Sequence, residues 1–144
     1  MKFFIYLFIF LGCSSDNIEI FLVKNNVSEK KTVSGDVVKQ NIDSIVKNSS
    51  EILRLAISDD YMTEYYFNNS LIEINFNEFK EINSPATGRI EVNKLILPLT
   101  GDLAPDSISG VATLILYSKN GLLGNPVRIK NGYNYINNIK TLFN

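Results

Sequence analysis

Cys13 carries the one thiol of this sequence, and no histidine accompanies it anywhere in the 144 residues. A thiolate is a nucleophile and a metal ligand, so a lone cysteine is the first place to look for chemistry. Without an imidazole the usual catalytic triads, the Cys-His pairs and most zinc sites drop out together. A single cysteine also forbids a disulfide within one molecule. What Cys13 does must then be read from its neighbours.

Carboxylates are the remaining candidates for acid and base work. Asp59 and Asp60 with Glu64, or Glu73 with Glu91 across a sheet, are the pairs the sequence offers. Such a pair functions only if one carboxyl is desolvated and its pKa raised, and exposed charge on wet faces is the favoured reading. The loop Gly101-Asp102-Leu103-Ala104-Pro105-Asp106-Ser107 is oxygen-rich. Its spacing departs from the helix-loop-helix calcium motif, so it reads as a hydrophilic turn and no metal is assigned. Gly121-Leu122-Leu123-Gly124 has neither dinucleotide spacing nor the Lys of a phosphate loop, and no cofactor is assigned. The matches to Asn-x-Ser at Asn26, Asn48 and Asn68 reflect an Asn- and Ser-rich composition.

Around Cys13 the sequence is more specific. Met1-Lys2 is followed by nine apolar residues, Phe3 to Leu11, and then by Gly12-Cys13-Ser14-Ser15. A short positive start, an apolar run and a small residue are the layout of a secretory leader. The run is less than half of the about 20 apolar residues that span a bilayer, so a stable span is not expected. Leu11-Gly12-Cys13 resembles the end of a bacterial lipoprotein leader. That resemblance, confined to residues 1–13, implies cleavage before Cys13, a lipid on its sulfur and acylation of the new amino group. It further implies the outer membrane in a two-membrane cell, because Ser14 rather than Asp follows the cysteine. The expected organisation is a signal peptide at 1–12, the lipidated cysteine and a short tether at 13–17, and one globular domain at 18–144.

Charge sets limits on the partners. A formal net charge of −1 with pI near 5.4 lacks the clustered Lys and Arg from which phosphate binding draws its affinity, so no nucleic acid is expected. The same balance leaves an attached apolar group, rather than surface charge, as the route to a membrane.

The elements that must carry these residues can be read from hydrophobic period. Ile18 to Val23 reads as a strand and Asn25 to Lys31 as a polar loop. Val38, Ile42, Ile45 and Val46 make one helical face over Asp36 to Lys47. Glu51 to Phe67 is ambiguous. Ile72 to Phe76 alternates like a half-buried strand. Arg89 to Val92 and Leu95 to Leu99 have opposite parity, which requires a bulge or turn at Asn93-Lys94. Val111 to Tyr117, apolar on both faces, reads as a central strand. Lys119-Asn120-Gly121 signals a hairpin, and Pro126 confines its own segment to an edge or to the start of a strand. Ile136, Ile139 and Phe143 make a short C-terminal helical stripe. Tyr133 and Tyr135 lie near its start in a segment, Gly132 to Asn138, that reads as helix docking more readily than as a sugar-contacting surface. The expected fold class is α+β: a mostly antiparallel sheet with one main helix and a short C-terminal one.

These readings favour a non-catalytic, lipid-anchored envelope protein that binds or scaffolds a protein or glycan. An inhibitor or immunity-type lipoprotein and a carboxylate-dependent envelope enzyme are the alternatives.

Overall fold

The computed structural model describes residues 18–33 and 36–144. Cys13, the leader and the tether lie outside the described residues. The elements run β1 (Ile18–Lys24), β2 (Val27–Val33), α1 (Asp36–Lys47), β3 (Ser49–Ile52), α2 (Asp59–Asn68), β4 (Ser70–Ser84), β5 (Gly88–Pro98), β6 (Ala112–Ser118), β7 (Gly121–Leu122), β8 (Val127–Ile129) and α3 (Gly132–Lys140), with a 3₁₀ turn at Thr141–Phe143. The eight strands pair antiparallel in the order β2-β1-β4-β5-β6-β8-β3, and β7 pairs with β6. This is the α+β class, with a main helix at the expected residues and a third helix, α2, resolving the ambiguous segment.

Both faces of the central strands are apolar, so both need a cover. On one face Ile18, Ile20 and Leu22 of β1, Ile72 and Ile74 of β4, Leu95 and Leu97 of β5, and Leu114 and Leu116 of β6 are buried. They share a core with Val38, Ile42 and Ile45 of α1 and with Ile136 and Ile139 of α3. On the other face Val23, Leu71, Ile96 and Ile115 pack with Met62 and Tyr65 of α2, with Ile57 and with Leu103. Central β6 is thus covered on both sides, as its apolar run requires.

The turns rest on residues that tolerate left-handed backbone. Asn25 and Asn26 close the β1-β2 hairpin at φ 48° and 62°, the left-handed values that a two-residue I′ turn needs and that Asn tolerates. Gly121 supplies the positive φ at the β6-β7 hairpin. Val92 pairs with Ser118 and Lys94 with Tyr117, so Asn93 is the extra residue of a bulge and the parity change in β5 is explained. Pro126 immediately precedes β8, and its carbonyl accepts from Leu53 N–H at 2.8 Å.

One expectation is corrected. Val27 to Lys31 is not a loop but most of β2, an edge strand that pairs with β1 over its whole length. Its Glu29, Lys30 and Lys31 make it read as loop, and charge on an outer strand is what keeps a sheet edge from pairing with another chain. Tertiary pairing outweighs its polar composition.

A second wide irregularity shapes the β4-β5 hairpin. Asn75 pairs with Lys94 and Lys80 with Val92, leaving residues 76–79 of β4 opposite Asn93 alone. A bulge of this size bends its strand. Beyond it Ile82 and Val92 are buried in the same core as Val38, so the outer half of the hairpin joins the α1 side of the sheet.

Gly132, at the start of α3, sits where no other residue fits. A Cβ there would lie 2.6 Å from Ala112 Cβ and 3.0 Å from Ile129 Cβ, so the helix approaches β6 and β8 at backbone distance. Gly132→Ala is expected to lower stability by ~1–3 kcal/mol, the range for overpacking a close-packed core. A urea unfolding curve checks this, with the exposed Asn134→Ala as the unchanged reference.

Candidate functional site

α2 carries the densest set of polar and aromatic side chains that face the open side of the sheet. Its start is fixed by Ser58, whose hydroxyl accepts from Tyr61 N–H at 3.1 Å. Asp59 and Asp60 in the first turn complement the positive end of the helix dipole. Met62 and Tyr65 face the sheet and are almost fully buried. That contact fixes the helix rotation and leaves Tyr61, Glu64 and Asn68 on its outer flank.

The loop after β5 closes against this flank. Leu99 and Thr100 N–H both donate to Ser70 carbonyl at 2.8 and 3.2 Å, and Ser70 N–H donates to Thr100 Oγ1 at 2.8 Å. The Tyr65 hydroxyl donates to the Thr100 carbonyl. Gly101 comes next at φ +84°, where a Cβ would fall 2.4 Å from Asn69 Oδ1. Only glycine allows the loop so near the end of α2. Asp102 then accepts a bifurcated hydrogen bond from the Tyr61 hydroxyl, at 2.8 and 3.0 Å.

The result is a shallow groove of about 200 Å³ lined by Tyr61, Glu64, Tyr65, Asn68, Asn69 and Asp102. The Tyr61 and Tyr65 rings stand 5.7 Å apart and tilted by 30°. The volume lies below the roughly 300–1,000 Å³ of pockets that enclose drug-sized ligands, which suits one ring or one side chain of a larger partner. Its lining offers amides that both donate and accept, carboxylates that accept, and aromatic faces, groups that can hydrogen-bond and stack.

Its electrostatics are acidic. Burial is the main cause that raises the Tyr61 phenol, with its hydrogen bond to Asp102 next and then the fields of Asp102, Tyr65 and Glu64. Burial and Asp102 push Tyr65 up to about 12. Both phenols therefore stay protonated as donors at neutral pH.

Beside the groove, Glu73 on β4 is held by three partners. It accepts from the Tyr66 hydroxyl and from Asn75 Nδ2 at 2.8 Å, and it pairs with Lys94 at 3.4 Å. Lys94 Nζ also lies 5.3 Å from the centre of the Tyr117 ring. Burial and then Glu73 raise the Tyr66 phenol, while burial, Asp59 and Glu73 raise that of Tyr117.

The carboxylate pairs suggested by sequence are therefore distributed differently. Glu73 and Glu91 do not meet: Glu73 pairs across to Ile96, while Glu91 faces Glu81 on the outer hairpin, five residues or ~16 Å further along β5. Asp59 and Asp60 are exposed at the start of α2, and only Glu64 of that group lines the groove. Its companion is Asp102, which the sequence by itself assigns to a separate loop. Asp106, the other acid of that loop, accepts from Ile108 N–H at 2.8 Å and Ser109 Oγ at 2.7 Å. Those bonds hold its pKa below the usual value. Asn48 donates to Ser44 carbonyl and to the Tyr135 hydroxyl, so Tyr135 is engaged in joining α3 to the end of α1. Asn26 lies in the β1-β2 turn, and Asn68 in the groove.

Compared with protein-family models, curated proteins and solved structures, the chain gives no match.

The raised phenols have a consequence at high pH. An unfolded tyrosine loses its proton near pH 10, whereas folded Tyr65 holds it to about 12. Its contribution to stability is complete below pH 10 and is lost as pH rises from about 10 to 12. The urea midpoint is expected to fall over that interval. Tyr65→Phe should start ~0.5–1.5 kcal/mol lower, having lost one hydrogen bond, and should fall less steeply; parallel curves would show that Tyr65 does not carry the effect.

Proposed function

We propose that this chain is an exported lipoprotein, held on the cell envelope through Cys13, that binds an envelope protein or glycan without converting it. The leader-like residues 1–13 and the cysteine at their end support the anchor. Among the described residues no helix is long and apolar enough to cross a membrane.

The observation that carries the binding reading is where the groove lies relative to the tether. Ile18, the first residue of β1, pairs with Phe76, and Lys24, the last, pairs with Ser70. Asn68 and Asn69 immediately precede Ser70, and Thr100 and Gly101 close on it. The groove therefore belongs to the Lys24 end of β1, six residues or ~20 Å from the point where the tether joins. A domain tied down at Ile18 would hold this groove away from the bilayer, open to whatever approaches from the aqueous side. The exposed Val27 and Phe67 flank the same end, since Asn25 and Asn26 N–H donate to Asn69 and Tyr66 carbonyls at 3.3 and 2.8 Å. The apolar side chains and the polar groove together offer both kinds of contact that interfaces use.

Two measurements test the two halves. Growth with a labelled lipid precursor is expected to mark the native chain and leave Cys13→Ser unmarked and released from membranes; equal behaviour of the two would remove the anchor. A photo-crosslinking residue at Asn68 is expected to capture a protein or glycan in intact cells, whereas one at Lys47, on the opposite side of the sheet, captures none. If neither position, or both alike, yields adducts, the groove is not the contact surface.

A further inference from the structure

The same register that puts the groove far from the tether puts another surface beside it. Past Phe76, strand β4 runs on where β1 has ended, and its next residues are the rest of the wide bulge, 76–79. Phe79 at the end of that bulge is 47% exposed. Lys80 Nζ lies 5.4 Å from the centre of the Phe76 ring. The ring under Lys80 is half-buried against the core, so the exposed apolar group here is Phe79, with Lys80 its neighbour along the chain. An exposed ring settles among the upper acyl chains of a membrane interface, and a nearby ammonium among the headgroups.

Reach makes the bilayer the occupant. Cys13 and Ile18 are separated by five Cα steps, at most ~17 Å of fully extended chain. Residues 76–79 share the space opposite Asn93, so Phe79 stands within two residue spacings of Asn75, ~7 Å at most, in the direction away from Lys24. Beyond the bulge, Ile82 and Val92 turn their side chains into the core shared with α1, so the bulge is a bend at the tether end of the sheet. We propose that the 76–80 bulge is a second, non-covalent contact with the bilayer that holds Cys13, inserting Phe79 at its interface and thereby fixing the tilt of the sheet. This rests on the anchor proposed above.

One ring and one lysine would not retain a free protein on a membrane. A tethered contact is intramolecular, with an effective concentration of about millimolar for short flexible links, so a weak interaction suffices to orient the domain. The apolar ring carries most of the contact, because Glu78 offsets the charge of Lys80 and anionic lipid is not required.

The sequence contains no tryptophan, so Phe79→Trp creates a single fluorophore at the bulge and Phe67→Trp creates one at the groove end. Both positions are exposed and tolerate the larger ring. Full-length lipidated chains are reconstituted into phosphatidylcholine vesicles whose acyl chains are brominated near the headgroup, and flotation is measured alongside fluorescence. Phe79→Trp is expected to emit further to the blue and to lose at least twofold more intensity to the brominated lipid than Phe67→Trp. A chain that floats with the two equally quenched removes the bulge contact and leaves the anchor standing. A chain that does not float removes the anchor and this contact with it.

Discussion

A sheet that is apolar on both faces is the constraint on which the rest of this structure depends. Leu71 and Ile72 are neighbours in β4 and point to opposite sides, and both are fully buried; the same is true of Leu95 and Ile96 in β5 and of Leu114 and Ile115 in β6. Water must be excluded from both sides at once. α1 and α3 cover one face and α2 the other, and the strand order β2-β1-β4-β5-β6-β8-β3 places the most apolar strands in the middle. The charged β2 and the four-residue β3 occupy the edges.

The two covers are unequal, and the difference generates the candidate site. The α1 and α3 side forms one broad core that extends from Ile18 to Ile139. The α2 side is a smaller cluster, because one ten-residue helix cannot span the whole face. Where α2 stops, the sheet carries Glu73, Asn75, Lys94 and Tyr117 instead of aliphatic side chains. Glu73 is bonded to Asn75 Nδ2 and paired with Lys94, which lies by the Tyr117 ring, while the Asn75 Oδ1 is buried without a hydrogen-bond partner among the described residues. Where the loop at Gly101 meets the end of α2, the shallow groove remains. A half-covered face thus supplies both the acidic groove and the polar network beside it.

Elements with a clean period are legible in the sequence. Val38, Ile42, Ile45 and Val46 mark the buried face of α1, and the parity change between Val92 and Leu95 places an irregularity at Asn93-Lys94, where the bulge at Asn93 lies. Asn120-Gly121 marks a hairpin. Two elements are hidden for separate reasons. β2 is polar because it is an edge, so alternation is masked by the charges that protect it. α2 is aromatic around much of its circumference, with Tyr61 and Tyr66 half-buried beside Met62 and Tyr65 and Phe67 exposed, so its apolar stripe is blurred.

By itself the sequence determined the α+β class, the main helix, the central strand and the absence of any thiol or imidazole chemistry beyond Cys13, because composition and hydrophobic period are properties of neighbouring residues along the chain. The tertiary structure alone decided which side chains converge. Glu64 and Asp102 lie 38 residues apart in sequence and share a groove only because α2 lies over the sheet and Gly101 lets the loop close on Asn69. Glu73 and Glu91 lie on directly paired strands and stay apart because the register sets Glu73 opposite Ile96 and Glu91 opposite Glu81. Convergence depends on how distant segments cover a common surface, and no local pattern encodes that.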